Sequence, residues 1–317
     1  MSIQHSSGSI GSNGLPQPAE LPGSGASSRP IQRLVEFASL ALKVSRSENL
    51  PVLPQVASTV LRLADDPNSS PKMMERTIER DPAITAKILR VANSAYYGLS
   101  NVGNIGRAIG VLGMNAVRSL VIGVVFQQLA SGKEQAPNYS KLEYWRHSLA
   151  VAVTARILGK LRLPEAAEDL YVAGMMHDVG MLVLDRFCAD EFDRAILFAR
   201  SQQIPLHMAE KFAFGFDHCQ VGAMLAERWS LPKTVAKAIE FHHRPQADPE
   251  SLKTTAIVCL ADHLAHRSGL TNNVPLPKLP DWTEAREIVG ISEEQLEVIQ
   301  QVVVQEVIRA QDAFKIV

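Results

Sequence analysis

Nine histidines are present, and their placement is what suggests chemistry. His147 lies in a helical stretch from about Lys141 to Gly159, with Glu143 one turn earlier on the same face. His177 and Asp178 stand where an apolar helix stops, in Ala173-Gly174-Met175-Met176-His177-Asp178-Val179-Gly180. His218 follows Phe216-Asp217, and His242-His243 end a helix just before Arg244-Pro245. Asp262 sits between Val258, Cys259 and Ala265 in an apolar helix. A carboxylate there is costly to bury as a charge unless it is paired or bound to a metal. Imidazole nitrogens combined with carboxylate oxygens suit Zn, Fe, Mn or Ni. Adjacent ligands such as His242-His243 cannot point the same way on a regular helix, but at a helix end they can reach two ions. A carboxylate between two such ions, about 3.5–4 Å apart, would bridge a dinuclear centre able to activate water. Each histidine alone reads as an ordinary buried or surface residue; the ordered set points to metal. His5, His207, His263 and His266 stay outside that set.

The elements that must hold these residues are helices. Apolar residues recur at spacings of three and four, as in Leu34, Phe37, Ala38, Ala41 and then Val56, Val60, Leu61. Proline marks helix starts at Ser70-Pro71, Asp81-Pro82, Leu163-Pro164 and Leu231-Pro232, because its missing donor costs nothing there. Asp81 is a good N-cap as well. Ser292 with Gln295 forms a capping box for a last long helix whose Leu296, Ile299 and Val303 share a face. Asn93-Ser94 reads locally as a helix end. The fold class expected is all-α. Residues 1–29, rich in Ser, Gly and Pro, read as a disordered tail. A helical amino-terminal half over 30–135, a second helical unit over 136–247 and a helical extension over 248–317 follow, with a proline-bearing loop from Ser268 to Asp281.

Composition removes several classes of function. At 317 residues with 46% hydrophobic and 21% charged content, the chain can bury a sizeable core without staples. Lys and Arg number 32 against 33 Asp and Glu, so the basic stripe that nucleic acid requires is missing. Arg107, Arg118, Arg156 and Arg162 are scattered and read as solvated helix faces. The longest strongly apolar run, Leu120 to Phe126, falls far short of the roughly 20 residues that span a bilayer. Three separated cysteines in apolar contexts do not make a disulfide framework. With no signal-peptide pattern at its amino terminus, the chain is expected to be cytoplasmic.

The order H…HD…H…HH…D resembles the HD metal-dependent phosphohydrolase superfamily, and specifically its HDOD (HD-related output domain) branch. Further stretches carry the resemblance: Leu50-Pro51-Val52-Leu53-Pro54, Asp81-Pro82-Ala83-Ile84-Thr85 and Leu89-Arg90-Val91-Ala92-Asn93-Ser94-Ala95. Ala108-Ile109, Leu112-Gly113, Val221-Gly222-Ala223 and Trp229-Ser230-Leu231-Pro232 complete it, from roughly residue 50 to 245. The resemblance implies a multi-helix HD-superfamily bundle with an additional amino-terminal helical subdomain. It also implies a divalent transition metal, dinuclear, held by His147, His177, Asp178, His218, His242, His243 and Asp262. Asp178 would be the bridging carboxylate, and the catalytic one in an active member. Glu143 matches an extra carboxylate ligand of trinuclear relatives.

Two departures bear on activity. Met181 stands where phosphodiesterase relatives place a lysine after the His-Asp-x-Gly turn, and the Gly-Tyr-Pro element of the cyclic-di-GMP-cleaving branch is absent. Arg146, Arg186 and Arg244 could serve as substitute phosphate contacts, and surface solvation explains each of them equally well. Many HDOD proteins are non-catalytic regulators, so the resemblance implies a bacterial regulator acting on signalling proteins. The alternatives are a metal-dependent phosphohydrolase on a nucleotide or phosphate ester, and a helical scaffold whose histidines bind nothing. No receiver, DNA-binding or cyclase domain is legible, so output is expected to run through other chains, with partner surface around Asp81 to Tyr97.

Overall fold

A computed structural model describes residues 38–40, 42, 53–272 and 282–314. The expected tail over 1–29, the positions Leu34, Phe37 and Ala41, the lead-in Leu50-Pro51-Val52, His5 and most of the loop ending at Asp281 lie outside the described residues. Within them the chain is all-α, with fifteen α-helices and no strand.

Five helices form the amino-terminal half: α1 (Gln55–Asp65), α2 (Pro71–Glu79), α3 (Pro82–Ala92), α4 (Ile105–Leu112) and α5 (Met114–Leu129). Their starts are local chemistry. Ser70 accepts from Met73 N, and one Asp81 oxygen accepts from both Ala83 N and Ile84 N at 3.0 Å. Asn93 does more than end α3. Its amide accepts from Val102 N at 2.9 Å and donates to Val102 O at 3.0 Å, closing the loop that leads to α4.

The second half is built on α6 (Lys141–Arg162), buried from Tyr144 almost continuously to Ala155. Pro164 opens a single 3-10 turn, and α7 (Ala167–Met176) begins three residues later than proline at a first helical position would place it. Leu163 leaves the helical region before the proline, with φ −148° and ψ 68°, and the tight turn absorbs the change of direction. The chain continues through α8 (Val179–Phe187), α9 (Ala189–Gln202), α10 (Leu206–Phe214), α11 (His218–Arg228) and α12 (Lys233–Phe241). Pro232 is the N-cap of α12 rather than its first residue.

The extension supplies α13 (Leu252–Arg267), α14 (Thr283–Val289) and α15 (Glu293–Phe314). The box at its start forms as its residues dictate, with Ser292 N bonded to Gln295 Oε1 at 3.0 Å and Gln295 N to Ser292 Oγ at 3.2 Å. Leu296, Ile299 and Val303 are buried on one face. α6 packs along α7 and α13, and α8 lies against α11, so the segments bearing the histidines converge.

The arginines expected on solvated faces are largely structural. Arg118 is buried and paired with Asp169. Arg156 lies over the Tyr171 ring, 4.9 Å from its centroid, and bonds the Tyr96 hydroxyl. Arg162 donates to Gly290 O at 2.7 Å. Spacing alone cannot show that a second helix covers a polar face. Among the described residues no helix is long and apolar enough to cross a membrane.

Candidate metal centre

Four helix ends and two helix interiors deliver the site. His147 comes from the buried face of α6, and Asp262 with His266 comes from one face of α13, four residues apart. His177 and Asp178 form the joint between α7 and α8. His218 is the first residue of α11, fixed by the Asp217–Gln220 capping box. His242 and His243 follow the last turn of α12.

The imidazoles share one pattern. Nδ1 of His147 faces Leu270 O at 2.7 Å, that of His177 faces Gly174 O at 2.7 Å, and that of His242 faces Ile239 O at 3.0 Å. Nδ1 of His218 faces Glu210 Oε2 at 2.7 Å. A backbone carbonyl accepts and never donates, so Nδ1 carries a proton in the first three rings, and in the neutral imidazole this leaves Nε2 with a lone pair. Those Nε2 atoms point at two carboxylates. His147 Nε2 is 3.0 Å from Asp262 Oδ1, and His177 Nε2 is 3.3 Å from Asp178 Oδ2. His218 and His242 place Nε2 at 3.2 and 3.4 Å from Asp178 Oδ1. His243 Nε2 lies 3.1 Å from His218 Nε2.

The histidine–carboxylate contacts are not aligned as hydrogen bonds. His147 Nε2, His177 Nε2, Asp178 Oδ1 and Asp262 Oδ1 are all buried and none has a hydrogen-bond partner. Buried polar atoms are rarely left so. Two donors each about 2.0–2.2 Å from one ion lie roughly 2.9–3.5 Å apart, the separation seen here. The donor set and its unsatisfied atoms therefore fit a divalent metal. The geometry groups the ligands as His147 with His177 and Asp178, as His147 with Asp262 and His266, and as His218 with Cys219, His242 and His243.

Charge reinforces the arrangement. Burial would push the Asp178 carboxyl up, but His177, His218 and His242 outweigh it and hold it well below the ordinary carboxylate range. Asp262 is likewise held well below that range, against burial, by His266 and His147. Burial pushes the Glu210 carboxyl up, with His218 opposing. His243 is pushed well below the usual imidazole value, first by burial and then by His242.

Of the residues expected from sequence, His147, His177, Asp178, His218, His242, His243 and Asp262 come together in this cluster. Glu143 does not join them. Its Oε1 accepts from Arg146 at 2.8 Å, at the half-exposed start of α6. Sequence reasoning passed over His266, Glu210 and Asn272, whose Nδ2 donates to Asp178 Oδ2 at 3.1 Å. Only His266 left a signal, its spacing of four from Asp262. His207 stacks on His243 with centroids 4.2 Å apart, and burial lowers its pKa to about 3. His263 packs against Cys259 and Trp282.

A cavity of about 30 Å³ opens beside the cluster, reached by Asp178, Asp262, His218, His243, His266 and Met181. No Lys or Arg lines it among the described residues. Arg146 is engaged by Glu143, Arg244 lies over the Phe241 ring, and Arg186 is exposed.

Comparison with known proteins matches this description. The family model of the HDOD domain matches residues 50–245. A crystal structure of an HDOD domain protein with unknown function from Geobacter sulfurreducens superposes with a TM-score of 0.74 at 25% identity, covering 89% of this chain and 100% of that one. A structure from Shewanella amazonensis SB2B, provisionally described as a phosphohydrolase, gives 0.68 at 23% identity over 87% of this chain and 98% of that one. One from Marinobacter aquaeolei VT8, provisionally described as a signal transduction protein, gives 0.71 at 20% over 90% and 65%. At those last two identities the likeness is one of fold. An uncharacterized protein of Treponema pallidum (strain Nichols) is 24% identical over 228 residues, 71% of this chain, and the chain spans 44% of that protein's length.

Proposed function

The chain belongs to the HDOD family, and on that premise we propose that it is a regulatory signal-transduction protein acting through protein partners, with a divalent-metal centre joining its helices. Its residues divide into two ligand sets sharing Asp178. His147, His177, Asp178 and Asp262 would hold one ion, and Asp178, His218, His242 and His243 a second. Bound ions of the Fe, Mn, Zn or Ni type would supply the positive charge that holds the carboxylates together and, at an open position, a Lewis acid for water. The protein's own part is positional. Leu270 O, Gly174 O and Ile239 O fix three rings with Nε2 forward, while Asn272 steadies Asp178.

The observation that carries the regulatory reading is the cavity wall. A phosphate beside the metals needs a fixed cation or a row of donors, and Met181 stands there, buried, with Sδ 3.9 Å from Asn272 Nδ2. Binding output would then fall to exposed positions such as Pro82, Ala83, Ala86 and Arg90 within 81–97, none of which lines the cavity. The second reading, a metal-dependent phosphohydrolase on a nucleotide or phosphate ester, draws on the same cavity lying directly against Asp178 and Asp262. Elemental analysis of untagged protein, followed by a panel of phosphate esters and cyclic dinucleotides, separates them. The regulatory reading expects close to two metal equivalents and no proficient turnover. Vigorous hydrolysis that disappears in Asp178→Ala would replace it with the phosphohydrolase.

A further inference from the structure

His266 has no place in the seven-residue pattern, yet it stands inside the cluster. It follows Asp262 by one turn on α13, and its Nε2 lies 3.3 Å from Asp262 Oδ1. That oxygen is the one His147 Nε2 approaches at 3.0 Å, and the two rings lie with centroids 4.6 Å apart. The His266 side chain is 6% exposed, and its Nδ1 is buried with no hydrogen-bond partner.

An ordinary His–Asp pair does not account for this. Asp262 Oδ1 has three imidazole nitrogens around it, at 3.0, 3.3 and 3.9 Å, and forms a hydrogen bond with none. Neutral His147 cannot donate from Nε2, because the single proton of that form is committed to Leu270 O. Ligand atoms crowded together without hydrogen-bond alignment fit a shared ion, and those of His147, Asp262 and His266 lie within 4.8 Å of one another.

Resting on the metal reading above, we propose that His266 is an additional ligand to the ion held by His147, His177, Asp178 and Asp262, and that it occupies the coordination position a substrate oxygen or water would otherwise take. Catalytic metal sites keep a position open, whereas structural sites are closed by protein donors. A fifth protein donor shifts this ion toward the closed kind. His266 also lines the cavity beside Asp178, so it stands between that space and the ion. The same cavity also touches His218 and His243, which would share the second ion with Asp178.

The test compares wild type with His266→Ala and His266→Gln, all untagged and loaded with Co(II). It reads metal affinity by chelator competition, the visible spectrum, and binding of inorganic phosphate by calorimetry. A ligand role expects a changed Co(II) spectrum and metal affinity weakened by about tenfold or more. It also expects metal-dependent phosphate binding in the variants at least about tenfold tighter than in wild type. Glutamine serves where alanine fails to fold. Weakened metal affinity with an unchanged spectrum and no gain in phosphate binding overturns the proposal, since His266 would then only position Asp262. A spectrum indifferent to His266 overturns it too and leaves the regulatory reading intact. A His266-dependent spectrum combined with vigorous wild-type turnover sinks the regulatory reading and the closure, and keeps the ligand. Wild type that takes up no metal fails at the earlier step and removes both.

Discussion

A Cβ placed on Gly180 would stand 1.9 Å from the carbonyl oxygen of His218. The first turn of α8 therefore presses directly on the first residue of α11, and Asp178 and His218, one from each side of that contact, meet at 3.2 Å. Backbone against backbone leaves no flexible side chain to yield. Gly180→Ala is expected to lower stability by about 1–3 kcal/mol or more and to separate the two ligands. Denaturant melts combined with metal titration check this, and a variant with wild-type stability and metal affinity would show that the helices move apart freely.

Asp178→Ala should remove metal uptake while leaving a folded, less stable protein. Asp178 is the one carboxylate approached by His177, His218 and His242, so its loss acts on both ligand sets. Binding to the native state alone stabilises by mass action, about 2.7 kcal/mol at a free metal concentration 100 times Kd. Chelation should therefore lower the wild-type Tm and leave that of the variant unchanged. Equal responses of the two proteins would exclude this role.

Glu210 is expected to tune the site without touching a metal. Its Oε2 accepts from the His218 backbone N at 2.8 Å and faces His218 Nδ1 at 2.7 Å, holding both the ring and the start of α11. Removing such an outer partner commonly costs 10–100-fold in metal affinity, and Glu210→Ala should fall in about that range. Glu210→Gln should retain part of the affinity, because its amide oxygen can still accept. Competition with a calibrated chelator reads both.

Away from the metals, Asp185 is wholly buried. It pairs with Lys141 Nζ at 3.0 Å and accepts from Gln135 N and Ala136 N. Asp185→Ala leaves the nearly buried Lys141 ammonium with only Lys133 O, at 2.7 Å, and deprives two amides of their acceptor, for which breaking a buried pair suggests a loss of about 3–5 kcal/mol. Thermal melts test it; a loss under about 1 kcal/mol would mean that water reaches Lys141.

What was legible in the sequence was local. Ser70, Asp81 and the Ser292–Gln295 box cap the helices they precede because capping involves a residue and its next three neighbours. Adjacent His177-Asp178 and His242-His243 stand at helix ends, where neighbours can diverge. Glu210 and Asn272 left no local trace. Their roles depend on a loop and a helix folding back onto Asp178 and His218, which neither periodicity nor spacing encodes. Arg118 and Arg156 were misread for the same reason, since a helix face records its own polarity and not what covers it.

Met181→Lys is the substitution that asks what the site lacks. Met181 is 2% exposed and lines the cavity beside Asp178 and Asp262, so a lysine there would place its ammonium near any phosphate lying against the metals. Fixed donors of this kind can be worth about 2.7–4 kcal/mol at a transition state when they face the developing charge. The new cation would also approach two carboxylates, so metal affinity should fall somewhat as the ammonium competes for them. The expected outcome is tighter binding of inorganic phosphate to the loaded protein and a rise in any residual phosphodiesterase rate, both measured at saturating metal. Saturation matters, because it separates the gain at phosphate from the loss at metal. If phosphate binding stays at the wild-type level with metal fully bound, the lysine is directed away from the cavity, and the methionine is not what keeps the site from holding substrate.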